Sequence, residues 1–261
     1  ERAEEHYRRT DYGAALDLLL PLAAKDAAVH ALIGKTYYMD GRYKSSVGYL
    51  EKAVAEDPRN SGYQDWLGRA YGRRAEEASF LSALPYANKT RAAFERAVAL
   101  DPTNLEALSD LFEYYLEAPG IVGGGVEKAE AIAARIRTLD EAEYHFCRAQ
   151  FAAKGRDRRA EEAELRRAMQ LAPGQMGRVL DLAGVLYRQG RYAESEELFG
   201  LAGQMEPGSP RLMYSRASAY IQAGRNLTVA KALLEQYAEA RITPDDPSRP
   251  EAARLMKSLP R

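Results

Sequence analysis

The stretch LEAPGIVGGGVEKAEAI, Leu116 to Ile132, sets the glycine run Gly123 to Gly125 ahead of Lys128. Glycines before a helix can aim backbone N–H groups at an anion, and a lysine adds charge to such a cradle. A phosphate-binding loop of the P-loop kind needs Lys followed by Ser or Thr directly after its glycines, on a strand-to-helix turn. Here Lys128 is followed by Ala129, no strand pattern precedes the run, and Glu127 opposes an anion. The run reads as a structural loop, with contact to a protein partner or to phosphate as the alternatives. Cys147 is the single cysteine, and His145 lies two positions before it. Residues i and i+2 of a helix point to different faces, so they form no Cys–His pair with each other. His145 reads as a contact between repeats and Cys147 as a small buried or groove residue. The three histidines, at 6, 30 and 145, are scattered. With 29% charged residues, pairs of carboxylates arise by chance. The sequence therefore nominates no catalytic residue, no metal ligand and no cofactor.

The elements that would position any site come from a chain of 261 residues with 37 basic and 38 acidic side chains, a formal net charge of -1. Nothing global attracts nucleic acid or an anionic membrane. One cysteine excludes an internal disulfide framework. No apolar run approaches the roughly 18 residues of a membrane span, and LDLLLPLAA, Leu16 to Ala24, is too short and interrupted by Pro21. The sequence starts at Glu1 rather than methionine, as it would after loss of a leader or tag. A soluble protein of the bacterial cytoplasm or periplasm is expected. Tyrosine is abundant, 17 against 6 phenylalanines. A tyrosine packs its ring while keeping the hydroxyl wet, which suits a thin structure.

Internal periodicity organises the chain. Prolines follow apolar helical patterns in EKAVAEDP (Pro58), ERAVALDP (Pro102), RRAMQLAP (Pro173) and LAGQMEP (Pro207). Their spacings fit a unit of about 34 residues with insertions. In one unit Gly34 permits close approach of two helices, Tyr37 fills the space above, and Gly41 opens the turn. Tyr43, Ser46, Leu50 and Ala53 face inward on the second helix. Residues 176–209 repeat this with Leu182, Ala183 and Leu186, then Gly190, Tyr192, Ser195, Phe199, Ala202 and Pro207. Neither helix can bury its apolar face alone, so each pair stacks on its neighbour.

Gly34, Tyr37, Ser46, Leu50, Ala53 and Pro58 give the chain a pattern that resembles the tetratricopeptide repeat family, in its bacterial type with irregular central repeats. The resemblance covers nearly the whole chain. The family's frequent first-helix tryptophan is replaced by His30, Gln64, Leu108, His145, Val179 and Met213. It implies an all-α fold, a right-handed superhelical solenoid of antiparallel helix pairs, as one domain over 1–261. The units are 1–26 (truncated), 27–60, 61–104, 105–141, 142–175, 176–209 and 210–243. A capping helix at 250–259 carries Ala252, Leu255, Met256 and Leu259 and is stopped by Pro260.

Two units depart from the pattern. The unit 61–104 holds an insertion near 75–88, where Pro85 is expected to separate a short helix from another beginning near Tyr86 or Asn88. Phe80, Leu81, Leu84 and Tyr86 either dock on the repeat edge as a satellite core or form a partner surface. The unit 105–141 carries the glycine-rich expansion near 118–125. Phe112 stands where other units have Gly34 and Gly68, so its paired helix needs room.

In the family, first helices line a groove that holds extended peptides or helices of partner proteins. Carried over by position, the resemblance gives Lys35 and Tyr38, then Asp65, Arg69 and Arg73, then Ser109, Asp110, Glu113 and Glu117. Phe146, Cys147 and Gln150 follow, then Leu180, Asp181, Tyr187 and Arg188, then Tyr214 and Ser218. Trp66, the sole tryptophan, reads as a partner anchor or as helix packing. Lys35, Arg69 and Arg73 make a basic segment and Asp110, Glu113 and Glu117 an acidic one. They would orient a partner carrying both signs, or Arg73 would pair internally with Asp110 or Glu113. Only Lys35 matches the family's carboxylate clamp for chaperone tails, which disfavours that ligand.

The expected function is a non-catalytic scaffold or adaptor that binds a protein or peptide partner in the groove, without nucleic acid or membrane insertion. The alternative is a structural or self-assembling module of an envelope-associated complex, a homo-oligomer formed through the insertion or an open repeat end. An enzymatic role would require a second domain.

Overall fold

A computed structural model describes residues 1–22 and 26–259, and leaves aside the side chain of Phe80. Pro260, assigned above as a helix stop, lies outside the described residues. The described residues form fifteen α-helices and no strand. The helices are α1 Arg2–Arg8, α2 Tyr12–Leu19, α3 Ala27–Met39, α4 Tyr43–Glu56, α5 Ser61–Glu77, α6 Phe80–Leu100, α7 Leu105–Glu117 and α8 Val126–Leu139. They continue with α9 Glu141–Lys154, α10 Arg158–Leu171, α11 Met176–Arg188, α12 Tyr192–Met205, α13 Pro210–Gln222, α14 Leu227–Glu239 and α15 Arg249–Lys257. The chain divides into two compact units, Glu1–Leu139 and Asp140–Arg261.

In each unit, helices pair with their sequence neighbours, α3 with α4, α5 with α6 and α7 with α8, then α9 with α10, α11 with α12 and α13 with α14. In several pairs the turn is set by one left-handed residue. Gly41 has φ 78°, and the Arg42 and Gly41 amides donate to Tyr37 O at 2.8 Å and Tyr38 O at 3.0 Å. This double bond pattern satisfies the last carbonyls of α3 and reverses the chain, and Gly190 (φ 82°) closes α11 in the same way. Thr10 (φ 57°) and Arg156 (φ 59°) hold the position without the freedom of glycine.

Between pairs, side-chain oxygens take the free N–H groups at first-helix starts. Asp26 caps Val29, Asn60 caps Tyr63, Asn104 caps Ala107 and Asp140 caps Glu143. The predicted close approaches are present. A Cβ on Gly34 would lie 2.6 Å from Leu50 Cγ, and one on Gly68 2.5 Å from the Phe94 ring. Where Phe112 replaces such a glycine it is buried, and its paired helix α8 buries Ala129 and Ala133 beside Ile132 and Ile136.

The insertion differs from expectation. No break occurs at Pro85, which lies inside α6. The chain breaks before it, at Ala78 and Ser79, both extended. As the sixth residue of α6, Pro85 removes the single bond its amide would have donated to Leu81 O, and the helix continues past it. Tyr86 packs on the core around Leu50, Leu67 and Tyr71, Leu84 is half-buried and Leu81 is exposed.

The last helix α15 starts behind a reciprocal cap, Ser248 with Glu251, and Leu255 and Met256 pack on the second unit's core. No helix among the described residues is long and apolar enough to cross a membrane.

Candidate functional site

The glycine run has spent its amides internally. Gly123 N donates to Gly120 O at 2.9 Å, Gly124 N to Pro119 O at 3.2 Å and Gly125 N to Tyr115 O at 2.8 Å. A Cβ on Gly124 would fall 1.8 Å from Ala118 O, so the glycine permits a close backbone crossing. Lys128 Nζ donates to Gly123 O at 2.8 Å. These groups stabilise the loop and leave no cradle for phosphate. Cys147 is buried, and burial first, then Glu143, pushes its thiol up to about 12, far from a reactive thiolate. His145 Nδ1 lies 2.6 Å from Glu164 Oε2, a contact between α9 and α10 inside one pair rather than between repeats. Among the described residues, no group of three or more His, Cys, Asp or Glu is placed to hold a metal ion.

In the first unit, α3, α5 and α7 lie in succession, and α5 touches both neighbours. They bring Tyr38, Arg69, Arg73, Asp110, Glu113 and Glu117 to one cavity of about 720 Å³, with Phe94 and Thr90 of α6 behind it. Arg69 is the electrostatic centre. It pairs with Asp110, lies 3.1 Å from Asp65 and 3.4 Å from Glu106, and stacks 4.9 Å over Trp66. Arg73 bonds Glu76 at 2.8 Å and the Tyr43 hydroxyl at 3.3 Å. The pairing of Asp110 is thus with Arg69, one turn before the Arg73 considered from sequence. Burial, then the charge of Asp110, raises the Asp65 carboxyl above its usual range, and Arg69 opposes the rise.

Trp66 is half-buried, edge-on to Tyr38 at 5.5 Å with Lys35 Nζ 5.0 Å from its ring. It is therefore packed into the wall beside the cavity. Burial lowers the Lys35 ammonium, with Arg69 adding to the effect against Glu106 and Asp65.

In the second unit, α9, α11 and α13 line a cavity of about 380 Å³ that includes Gln150, Arg188 and Tyr214. Asp181 shares it, and burial, opposed by Arg178 and Arg211, pushes its carboxyl up to about 6. Arg188 is paired with Glu161 at 3.1 Å.

Some nominated groove residues are elsewhere. Tyr187 is 1% exposed, its ring 4.7 Å from Tyr192 and 4.9 Å from Tyr220, and its hydroxyl accepts from Asn226 Nδ2 at 3.0 Å. Asp65, Cys147 and Leu180 are also buried. A first helix in a stack is covered on more of its circumference than a single groove-facing stripe implies. Sequence reasoning missed Glu76, which partners Arg73 at i+3, and Tyr114, on the Asp110 face at i+4. Both spacings were readable once Arg73 and Asp110 were chosen. The Tyr114 hydroxyl lies 2.9 Å from Ala87 O and 2.8 Å from Val122 O, tying the insertion helix and the glycine-rich turn to α7.

By sequence, no family model and no curated protein matches the chain. By structure, a tetratricopeptide repeat protein from Parabacteroides merdae superposes with a TM-score of 0.63 at 12% identity, over 99% of this chain and 96% of its own. The C-terminal part of a TPR repeat-containing protein from Cytophaga hutchinsonii gives 0.50 at 13% identity, over 100% and 99%. A human IFIT1 dimer solved with PPP-AAAA gives 0.53 at 17% identity over 87% of this chain, which spans 51% of that one. At these identities the likeness is one of fold, and the chain is tetratricopeptide-repeat-like in that sense.

Proposed function

We propose that the first unit's cavity holds an extended segment of a partner protein, non-covalently and without a cofactor, so that the chain acts as an adaptor, assembly factor or scaffold. One observation carries this reading: six residues nominated from three separate helices converge on a single cavity with aromatic and charged walls. Such a surface offers ring faces for apolar side chains and fixed charges for orientation. The second unit's cavity, with Gln150, Arg188 and Tyr214, is the secondary candidate. The carboxylates of the first cavity oppose a phosphate backbone, which argues against nucleic acid as its occupant.

Panning a random decapeptide library on the intact chain tests the reading. Gly72 lines the cavity, and a Cβ there meets Thr90 at an ordinary 3.7 Å, so Gly72→Leu adds bulk to the cavity, with circular dichroism checking that the fold is kept. Enriched peptides should bind the wild-type chain and lose at least tenfold in affinity for Gly72→Leu. Equal binding to both proteins sinks the assignment to this cavity.

A second reading, self-assembly through the irregular repeats, is favoured by Leu81 and Ile121, which are 78% and 77% exposed. It expects a concentration-dependent mass in sedimentation that Leu81→Glu with Ile121→Glu abolishes. A constant monomer mass excludes it.

A further inference from the structure

The first helices do not all start alike. Asp or Asn caps α3, α5, α7 and α9, but Gln175 before α11 and Ser209 before α13 make no side-chain cap bond. Both uncapped starts open on one cavity of about 800 Å³ in the second unit. The backbone amides of Met176, Gly177 and Arg211, three residues that line it, have no hydrogen-bond partner among the described residues. Aligned peptide dipoles add positive potential at such a point.

Two side chains add donors to those amides. Ser209 is 7% exposed and lines the cavity, and its hydroxyl has no partner among the described residues. A buried hydroxyl left unbonded is costly, and an acceptor on a ligand would remove that cost. Arg211 crosses to the start of α11: a Cβ on Gly177 would meet its Nη2 at 3.1 Å, so the glycine leaves room for the guanidinium. That guanidinium forms no ion pair or hydrogen bond among the described residues, although its charge acts on Asp181. Its donors are open to an acceptor.

The carboxylates of the wall decide which acceptor fits. Arg178 takes Glu143 and Asp181, and Asp246 accepts from the Thr243 amide at 2.7 Å and hydroxyl at 3.0 Å. Glu206, Asp245 and Arg241 line the cavity exposed and form no ion pair or side-chain hydrogen bond among the described residues. Five carboxylates around the cavity would repel a multiply charged phosphate. A small ligand with one carboxylate and one ammonium meets a partner for each sign.

We propose that this cavity binds a free α-amino acid with an apolar side chain. Its carboxylate sits on the amides of α11 and α13, Ser209 and Arg211, its ammonium faces Glu206 and Asp245, and its side chain lies against Phe146 and Met176 of the wall. No residue of the first unit takes part, so the inference is separate from the peptide site proposed there.

Isothermal titration calorimetry on the intact chain compares L-leucine with N-acetyl-L-leucine, which lacks the ammonium, and L-leucinamide, which lacks the carboxylate. L-Leucine should bind at least tenfold tighter than either, because a site built to bond a group rejects the analogue without it. Arg211→Gln should lose at least tenfold in affinity and Ser209→Ala a smaller factor, with circular dichroism unchanged, while Gly72→Leu binds like wild type. The proposal is overturned if L-leucine shows no binding to millimolar concentration, if the three compounds bind alike, or if Arg211→Gln binds like wild type. Equal binding of L-leucine and N-acetyl-L-leucine would leave a simple anion site and overturn the amino-acid assignment. Leucine binding lost in Gly72→Leu overturns it as well, by moving the ligand to the first unit.

Discussion

The two units solve the same packing problem with different electrostatics. In the second, arginines meet carboxylates in short chains across neighbouring helices: Arg188 with Glu161, Arg178 with Glu143 and Asp181, and Arg191 and Arg166 each with both Glu162 and Glu194. In the first, Arg69 alone serves three carboxylates. It also carries the insertion and the glycine-rich expansion, and a hydroxyl from Tyr114 ties those irregularities to the cavity wall. The same helical stacking is thus held by distributed ion pairs in one unit and by a single shared guanidinium in the other.

The contrast breaks most visibly at the arginines. Arg69→Met strips three carboxylates of their shared counter-ion and should cost about 3 kcal/mol. Arg188→Met removes one exposed pair and should cost less than about 1 kcal/mol. Urea unfolding of both variants checks the ratio, and equal losses would erase the distinction between the units.

A smaller effect is expected from pH. Asp181 titrates near 6 when folded, against about 3.9 in an unfolded chain. The folded state therefore holds a proton that the unfolded state has released. The contribution is complete at low pH and is lost as pH rises from about 4 through 6. Asp181→Asn should flatten that part of the stability curve; parallel curves for variant and wild type would refute the assignment. Asp65, raised in the same direction, gives the first unit a loss of the same sign on going alkaline.

The smallest effect compares two turns. Thr10 in the first unit and Arg156 in the second occupy the left-handed position that Gly41 and Gly190 hold elsewhere. Replacing either by glycine should stabilise by about 0.5–1 kcal/mol, more for the β-branched Thr10. Thermal midpoints that do not rise would show that local contacts outweigh backbone strain.

The helix pairs were legible because glycine, tyrosine, alanine and proline recur at spacings that only stacked helices satisfy. Gly34, Gly68, Gly41 and Gly190 each proved to sit at a close approach or a turn. The start of α6 was not legible, because a proline near a helix start and a proline that ends a helix look alike in one sequence. Positional carry-over nominated Arg69, Arg73, Asp110, Glu113 and Glu117, which line one cavity, but not which charges cancel. That depends on rotamers and on a guanidinium's reach across helices, as the choice of Arg69 over Arg73 for Asp110 shows. Tyr187 was misplaced for a related reason: an aromatic at the end of a first helix can turn into the core between pairs.

The nearest-neighbour pairing of the helices also governs how each unit should come apart. Bonds that close each turn are local, so ordering one pair demands little long-range loop closure. Amide hydrogen exchange should accordingly be graded along each unit, fastest at helices covered on one side and slowest at those held on two. In the first unit the slowest amides would be those of α5, which is flanked by α3, α4, α6 and α7. The helix that presents Arg69 and Arg73 would then be among the last to open in the first unit, a rigid rail between helices that exchange sooner.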